Sequence, residues 1–300
     1  MKKLVVLLAI TAFWACKQNP QPSDQLGEVR FEVSGNPDAK LAFEKGLLLL
    51  HSFEYSDARE AFQEARELDP EMPMAYWGEA MTHNHPLWSE QDYDDATEVL
   101  AQLDQFDYQG KSSALEQDLI EGVKILYQPK TEKPDRDVAY SLHMEGLHQK
   151  YPKSQEVAAF YALSLLATAV ADRDVSVFEK GGKIVEGILA ENPNHPGALH
   201  YMIHSYDDPG HASLALNAAR SYSQVAPDAS HALHMPSHIF VAMGMWDDVI
   251  ASNIDSYQAS LNRMEAKDLS NNARGYHAFH WLQYGYLQTT QNKKAEEMTW

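Results

Sequence analysis

Three hundred residues with 44% hydrophobic content and six tryptophans hold ample apolar material for a core, and a chain of repeats can form one unit of that length. A formal charge of -19 argues against a nucleic-acid partner, because phosphate binding needs a basic face. The acidic excess is spread along the chain, which reads as a solvated surface that favours solubility and attracts cations or basic partners.

Lys2 and Lys3 precede an apolar run from Leu4 to Ala15, so residues 1–15 read as a signal peptide. The run is well short of the roughly 20 residues that a bilayer span needs. Cys16 is the single cysteine, and no disulfide can form within the chain. The Ala15-Cys16 step resembles the lipobox of bacterial lipoproteins, although Phe13 and Trp14 stand where Leu and a small residue are usual. That resemblance implies lipidation at Cys16 and an exported protein of the bacterial cell envelope, in the periplasm or outer membrane, touching the membrane only through its anchor. The alternative is an ordinary signal peptide with an incidental cysteine. Residues 16–36, polar with Pro and Gly, read as a flexible tether.

From Asp38 onward apolar residues recur at i, i+3 and i+4, with no alternating strand pattern. LAFEKGLLLL (41–50) and DAREAFQEARELDP (57–70) predict a helix pair broken by a turn at 53–56. With Ala39 as position 1, Gly46, Ala58, Phe62, Ala65 and Pro70 fall at positions 8, 20, 24, 27 and 32. Small residues at 8 and 20 let two helices approach, and a proline at 32 ends the second. These positions resemble the tetratricopeptide (TPR) repeat, a 34-residue helix–turn–helix. The resemblance implies an all-α fold over 37–300, a TPR-like right-handed α-solenoid of antiparallel helix pairs.

A second unit begins at Glu71 with AYWGEAM (75–81), but six extra residues enter around THNHPLWSEQ (82–91). This insertion carries His83, His85 and Trp88. Insertions in repeat proteins map to loops, often on a binding face; the plainer reading is that Pro86-Leu87-Trp88 plugs the end of a helix pair. Helices are expected at 112–127, 135–150, 155–171 and 175–191. Regular units return at Pro196, Ser230 and Tyr276. The last begins its second helix at Asn292 with no polar capping helix after it, which reads as an array truncated at the C-terminus or one that pairs with another copy.

Two His-x-x-x-His pairs, His200/His204 and His234/His238, stand one repeat length apart. His200 and His204 take positions 5 and 9 of the unit at Pro196. His231, His234 and His238 take positions 2, 5 and 9 of the next, and His277, His280 and Tyr284 the same positions of the last. Spacings of three and four share one helix face. The TPR resemblance implies that positions 2, 5 and 9 line the concave groove where ligands bind. Residues 200–280 hold eight of the 14 histidines. Three readings stay open: a transition-metal site for Zn, Cu, Fe or Ni, neutral imidazoles holding an anionic or peptide ligand, and histidines that satisfy hydrogen bonds in a crowded interface. Asp207 and Asp208 could complete a coordination sphere, or form a turn before Pro209. Pro236 belongs in a helix's first turn, which would leave His231 and His234 in the preceding loop. Neither pair is a zincin motif, since no Glu lies between the histidines.

No Gly-x-Gly-x-x-Gly, Walker loop or Gly-x-Ser-x-Gly occurs. Trp77, Trp246 and Trp281 read as core, and the SDAREAFQEA face as a solvated helix surface. AYWGEAM, HPLW, ALHYMIH, HALHMPSHIF, GMWDD and WLQYGYLQ together resemble a group of bacterial exported TPR proteins with a His-rich C-terminal half. That resemblance marks His200, His204, His234, His238 and His277 as the positions to test. The expected function is a scaffold that binds a protein, peptide or small ligand in a His-rich groove, possibly through a metal; the alternative is a metal-dependent enzyme using the paired histidines as ligands.

Overall fold

The computed structural model describes residues 25–169 and 173–298; Cys16 and the expected signal peptide lie outside them. The helices are α1 (Pro37–His51), α2 (Tyr55–Leu68), α3 (Pro73–Met81), α4 (Tyr93–Leu103), α5 (Ala114–Leu126), α6 (Lys133–Lys150), α7 (Gln155–Thr168), α8 (Val175–Glu191), α9 (Pro196–Ser205), α10 (Ala212–Val225), α11 (Ser230–His234), α12 (Pro236–Ala242), α13 (Trp246–Ala266), α14 (Tyr276–Gln288) and α15 (Asn292–Glu297). Each packs on its successor along most of the chain, and α1 on α3, α3 on α5 and α7 on α9 bring first helices of neighbouring pairs together. This is an all-α, TPR-like solenoid. Among the described residues no helix is long and apolar enough to cross a membrane.

Local chemistry sets the helix starts. Asn36 accepts from the Ala39 amide at 2.9 Å, with Pro37 in the first turn, and Pro73 and Pro196 open α3 and α9 in the same way. The small residue at position 8 has a specific partner. A Cβ on Gly46 would stand 2.8 Å from the Phe62 ring, and one on Gly78 only 2.3 Å from it. Phe62, fully buried, therefore wedges between α1 and α3, and only glycine admits the ring on both sides.

The inserted segment is a small hairpin, β1 (Asn84–His85) paired antiparallel with β2 (Glu90–Gln91) around a single 3-10 turn at Pro86–Trp88. It departs from the strand-free expectation, and its turn packs on α7. Pro86 is buried there, while Trp88 is 50% exposed.

The open groove expected of a TPR array is instead closed. α1 packs on α9; the Tyr222 hydroxyl donates to Ser52 Oγ at 3.0 Å, and Ser230 Oγ and the His231 amide donate to Glu54 Oε1 at 2.8 Å. Arg263 and Lys267 of α13 reach Asp57 at 2.6 Å. The face read as merely solvated thus carries a seam between α2 and α13. Residues 25–36 are also fixed. Leu26 and Val33 are buried, the Glu28 amide donates to Asn194 O at 2.9 Å, and the Ser34 hydroxyl donates to Glu116 at 2.7 Å. For this stretch the tether reading is corrected, because its apolar side chains are covered by the helices they cross.

Pro236 does not push His231 and His234 into a loop either. Met235 has helical dihedrals (φ -53, ψ -37), so α11 runs into α12 with the proline at the first position of the second segment, where no amide donor is missed.

A candidate metal centre at the histidine cluster

The repeat register assembles the histidines as two equivalent trios. His200 and His204, at positions 5 and 9 of one unit, meet His231 at position 2 of the next. His234 and His238, again at 5 and 9, meet His277 at position 2 of the unit after. In each trio the three imidazoles offer ligand nitrogens within 4.8 Å of one another. The trios abut: the His204 and His238 rings are 5.7 Å apart, and His231 and His234 are 6.0 Å apart.

Outer hydrogen bonds fix which nitrogen faces inward. His200 Nδ1 donates to the backbone carbonyl of His51 at 2.7 Å. His234 Nδ1 donates to Asn253 Oδ1 at 2.7 Å; the amide orientation is set because Asn253 Nδ2 donates to Val249 O at 2.8 Å. His238 Nδ1 donates to Asp207 Oδ2 at 2.8 Å. With Nδ1 protonated, each Nε2 presents a lone pair. Yet His234 Nε2 and His238 Nε2 lie 3.2 Å apart, so two lone pairs face each other unless a cation, a further proton or a metal ion, sits between them. His200 Nε2 and His204 Nε2 are 3.1 Å apart. Ligands on a tetrahedral ion with bonds of about 2.0–2.1 Å stand about 3.3 Å apart. Both pairs match that separation, and carboxylate or carbonyl partners of this kind are what orient metal-bound histidines.

Electrostatics favour neutral rings. Burial, reinforced by neighbouring imidazoles, holds His204, His231 and His234 well below the ordinary histidine value. Burial pushes His200 down to about 3 and also lowers His277. Metal ligation requires the unprotonated form. His231 Nε2 is buried without a hydrogen-bond partner, an arrangement that costs stability unless something occupies that direction.

Around the trios stands an aromatic wall. Phe53, between α1 and α2, adopts φ 56, a region rarely visited by bulky residues and often found strained at functional sites. Its ring meets His200 at 4.3 Å, His231 at 5.7 Å and His204 at 6.1 Å. Trp281 packs on His234, His238 and His277 at 5.1, 4.5 and 5.8 Å, so it belongs to the site and not to the core alone. A pocket of about 240 Å³ opens over the cluster, lined by His204, His231, His238 and His277 with Leu87, Trp88, Phe178 and Arg173.

Other expected groove residues diverge. Trp88 is at the pocket. His83 and His85 are not: His83 is buried beside Asp92 at 3.5 Å, and the His85 ring lies on Tyr55 at 4.3 Å. His280 is exposed and Tyr284 packs on Trp246 at 5.6 Å; neither joins a trio. Asp207 orients His238, while Asp208 forms the turn, accepting from the Gly210 and His211 amides.

A third set, His51, Glu156 and His195, also gathers ligand-type atoms, but its chemistry is complete. Glu156 accepts from His51 Nε2 at 2.7 Å and His195 Nε2 at 3.1 Å. His51 Nδ1 accepts from the Tyr201 hydroxyl at 2.9 Å and His195 Nδ1 from the Ala198 amide at 3.2 Å. Both imidazole lone pairs are used, so this buried triad joins α1, α7 and the start of α9 and leaves no histidine nitrogen for a metal bond. Burial alone would raise the Glu156 carboxyl; the two imidazoles beside it overcome that and hold it well below the usual range.

No family model and no curated protein matches the chain. Among matching solved structures is the human IFIT1 dimer with m7Gppp-AAAA, 15% identical, covering 90% of this chain and 68% of that one at a TM-score of 0.37. So loose a likeness adds nothing to the helix pairing already described.

Proposed function

We propose that this chain is a TPR-like scaffold that holds transition metal at its histidine trios and captures a ligand in the adjoining pocket. The observation that carries the reading is the His234/His238 pair, whose inward nitrogens are both left unprotonated by their outer acceptors and yet stand at ligand-to-ligand distance. An all-imidazole set suits Zn, Cu, Ni or Fe. The ligand class in view is a protein, a peptide or a smaller anion; the -19 charge argues against nucleic acid. Export and anchoring through Cys16 belong to the same proposal, supported by the Lys2-Lys3 and Leu4–Ala15 pattern. A metal-dependent enzyme is the second reading, favoured because three protein ligands leave a coordination position open and the pocket lies over it.

Elemental analysis of protein purified without a His tag tests the first step. The expected result is stoichiometric metal, and a melting temperature that rises when metal is restored. Absence of both would end the metal reading. His204→Ala combined with His238→Ala should abolish binding while leaving helix content unchanged.

A further inference from the structure

The two trios share more than a repeat register. Each contributes two of its three histidines to one pocket: His204 and His231 from the first, His238 and His277 from the second. Ring separations between the trios, 5.7 and 6.0 Å, fall inside the range found within them, 4.5 to 6.5 Å. Ions held by them would therefore open toward the same small volume.

Charge then specifies what enters. Six neutral imidazoles bring no negative charge, while two divalent ions bring four positive charges. The nearby carboxylates stay outside the ligand set. Asp207 accepts a hydrogen bond from His238 Nδ1, and Glu54 accepts from Ser230 and the His231 amide. Arg173 stands on the pocket wall but is paired with Asp208 at 3.4 Å, so the excess comes from the ions themselves. Asp207 and Glu54 offset only part of those four charges, and the remainder calls for a counter-charge from outside the chain. Leu87, Trp88 and Phe178 supply apolar surface on the remaining walls, which suits a carboxylate carried on an apolar body.

We propose that the trios form one dinuclear transition-metal centre that takes up a single apolar carboxylate as a ligand shared by both ions. The proposal rests on the metal reading above and goes beyond it in stoichiometry and ligand class.

The test is a Cu(II) titration of the metal-free protein, since Cu(II) binds such nitrogen sets most tightly, followed by elemental analysis and electron paramagnetic resonance. Two ions per chain are expected, with the signal of the first broadened or lost as the second binds. His277→Ala, at an exposed ligand, should retain one magnetically isolated ion with unchanged helix content; His231→Ala should do the same at the other trio. Benzoate should bind the doubly loaded protein once per chain, at least tenfold more weakly to either single variant, and about tenfold more tightly than acetate because its ring is buried. One ion per chain, two ions without magnetic interaction, or one benzoate per ion would each overturn the shared centre. Equal affinity for acetate and benzoate would overturn the ligand class. Failure to bind any metal would instead strike the broader reading.

Discussion

Glu156→Gln isolates the group on which the closure of the solenoid depends. Glu156 is 1% exposed, and both imidazoles that donate to it are fully buried. Hydrogen bonds to a charged acceptor contribute roughly 1.5–3 kcal/mol each. A glutamine keeps one acceptor oxygen and turns an amide N–H2 toward the other imidazole N–H. One bond is weakened and the other becomes a donor–donor contact. The imidazole could switch tautomer only by displacing the bond that Tyr201 makes to His51, or that the Ala198 amide makes to His195. Breaking a buried charged network of this kind costs about 3–5 kcal/mol, and relief from burying the carboxylate charge offsets part of that. The expected loss is about 3 kcal/mol in urea unfolding followed by circular dichroism, with the m-value unchanged. Metal content per folded chain should stay as in the parent protein, because no nitrogen of this triad is free to coordinate. A loss under about 0.5 kcal/mol would refute the ionised, doubly bonded carboxylate; a loss of metal would return His51, Glu156 and His195 to the candidate ligands.

Other consequences can be checked separately. The metal-free protein should weaken as pH falls below 6.5, because the unfolded chain takes up protons that the folded one refuses. His200, held at about 3 against an ordinary 6.5, alone contributes about 1.4 kcal/mol per pH unit across that window, and His204, His231 and His234 act in the same direction; denaturant titrations at pH 7.5, 6.5 and 5.5 that coincide would contradict this. Gly197→Ala should destabilise by about 2 kcal/mol or more, since its Cβ would lie 2.3 Å from His51 Nδ1, and a melting temperature equal to the parent's would count against the tight approach of α1 to α9. Asp207→Ala removes the acceptor that orients His238 and should weaken metal at that trio by roughly 10–100-fold, read by competition with a chelator; unchanged affinity would remove Asp207 from the site.

The repeat itself was legible along the chain. Gly46, Phe62 and Pro70 stand where helix-pair packing demands them, and the structure shows Phe62 filling the space that Gly46 and Gly78 leave. Periodicity also put the six trio histidines at positions 2, 5 and 9, hence on one face. What sequence could not supply was anything brought in from far along the chain. Phe53 and the His51 carbonyl reach the cluster across about 150 residues, and no local pattern announces that α1 will meet α9. Trp281 sits at position 6 of its unit, where an aromatic is an ordinary packing residue, and only the turn of α14 against α12 makes it a wall of the site. His280 and Tyr284 show the converse limit, since they share the register and yet His280 faces solvent and Tyr284 packs on Trp246.

The carbonyl that orients His200 belongs to the last residue of α1, 149 positions earlier in the chain. The order of events during biosynthesis follows from that distance. A growing polypeptide has its first helix pair long before the ribosome reaches α9, and the six trio imidazoles all follow from there. Until α1 docks on α9, His200 lacks the carbonyl that fixes its tautomer. Metal uptake at the proposed centre would therefore be a late step, acting on helices already docked.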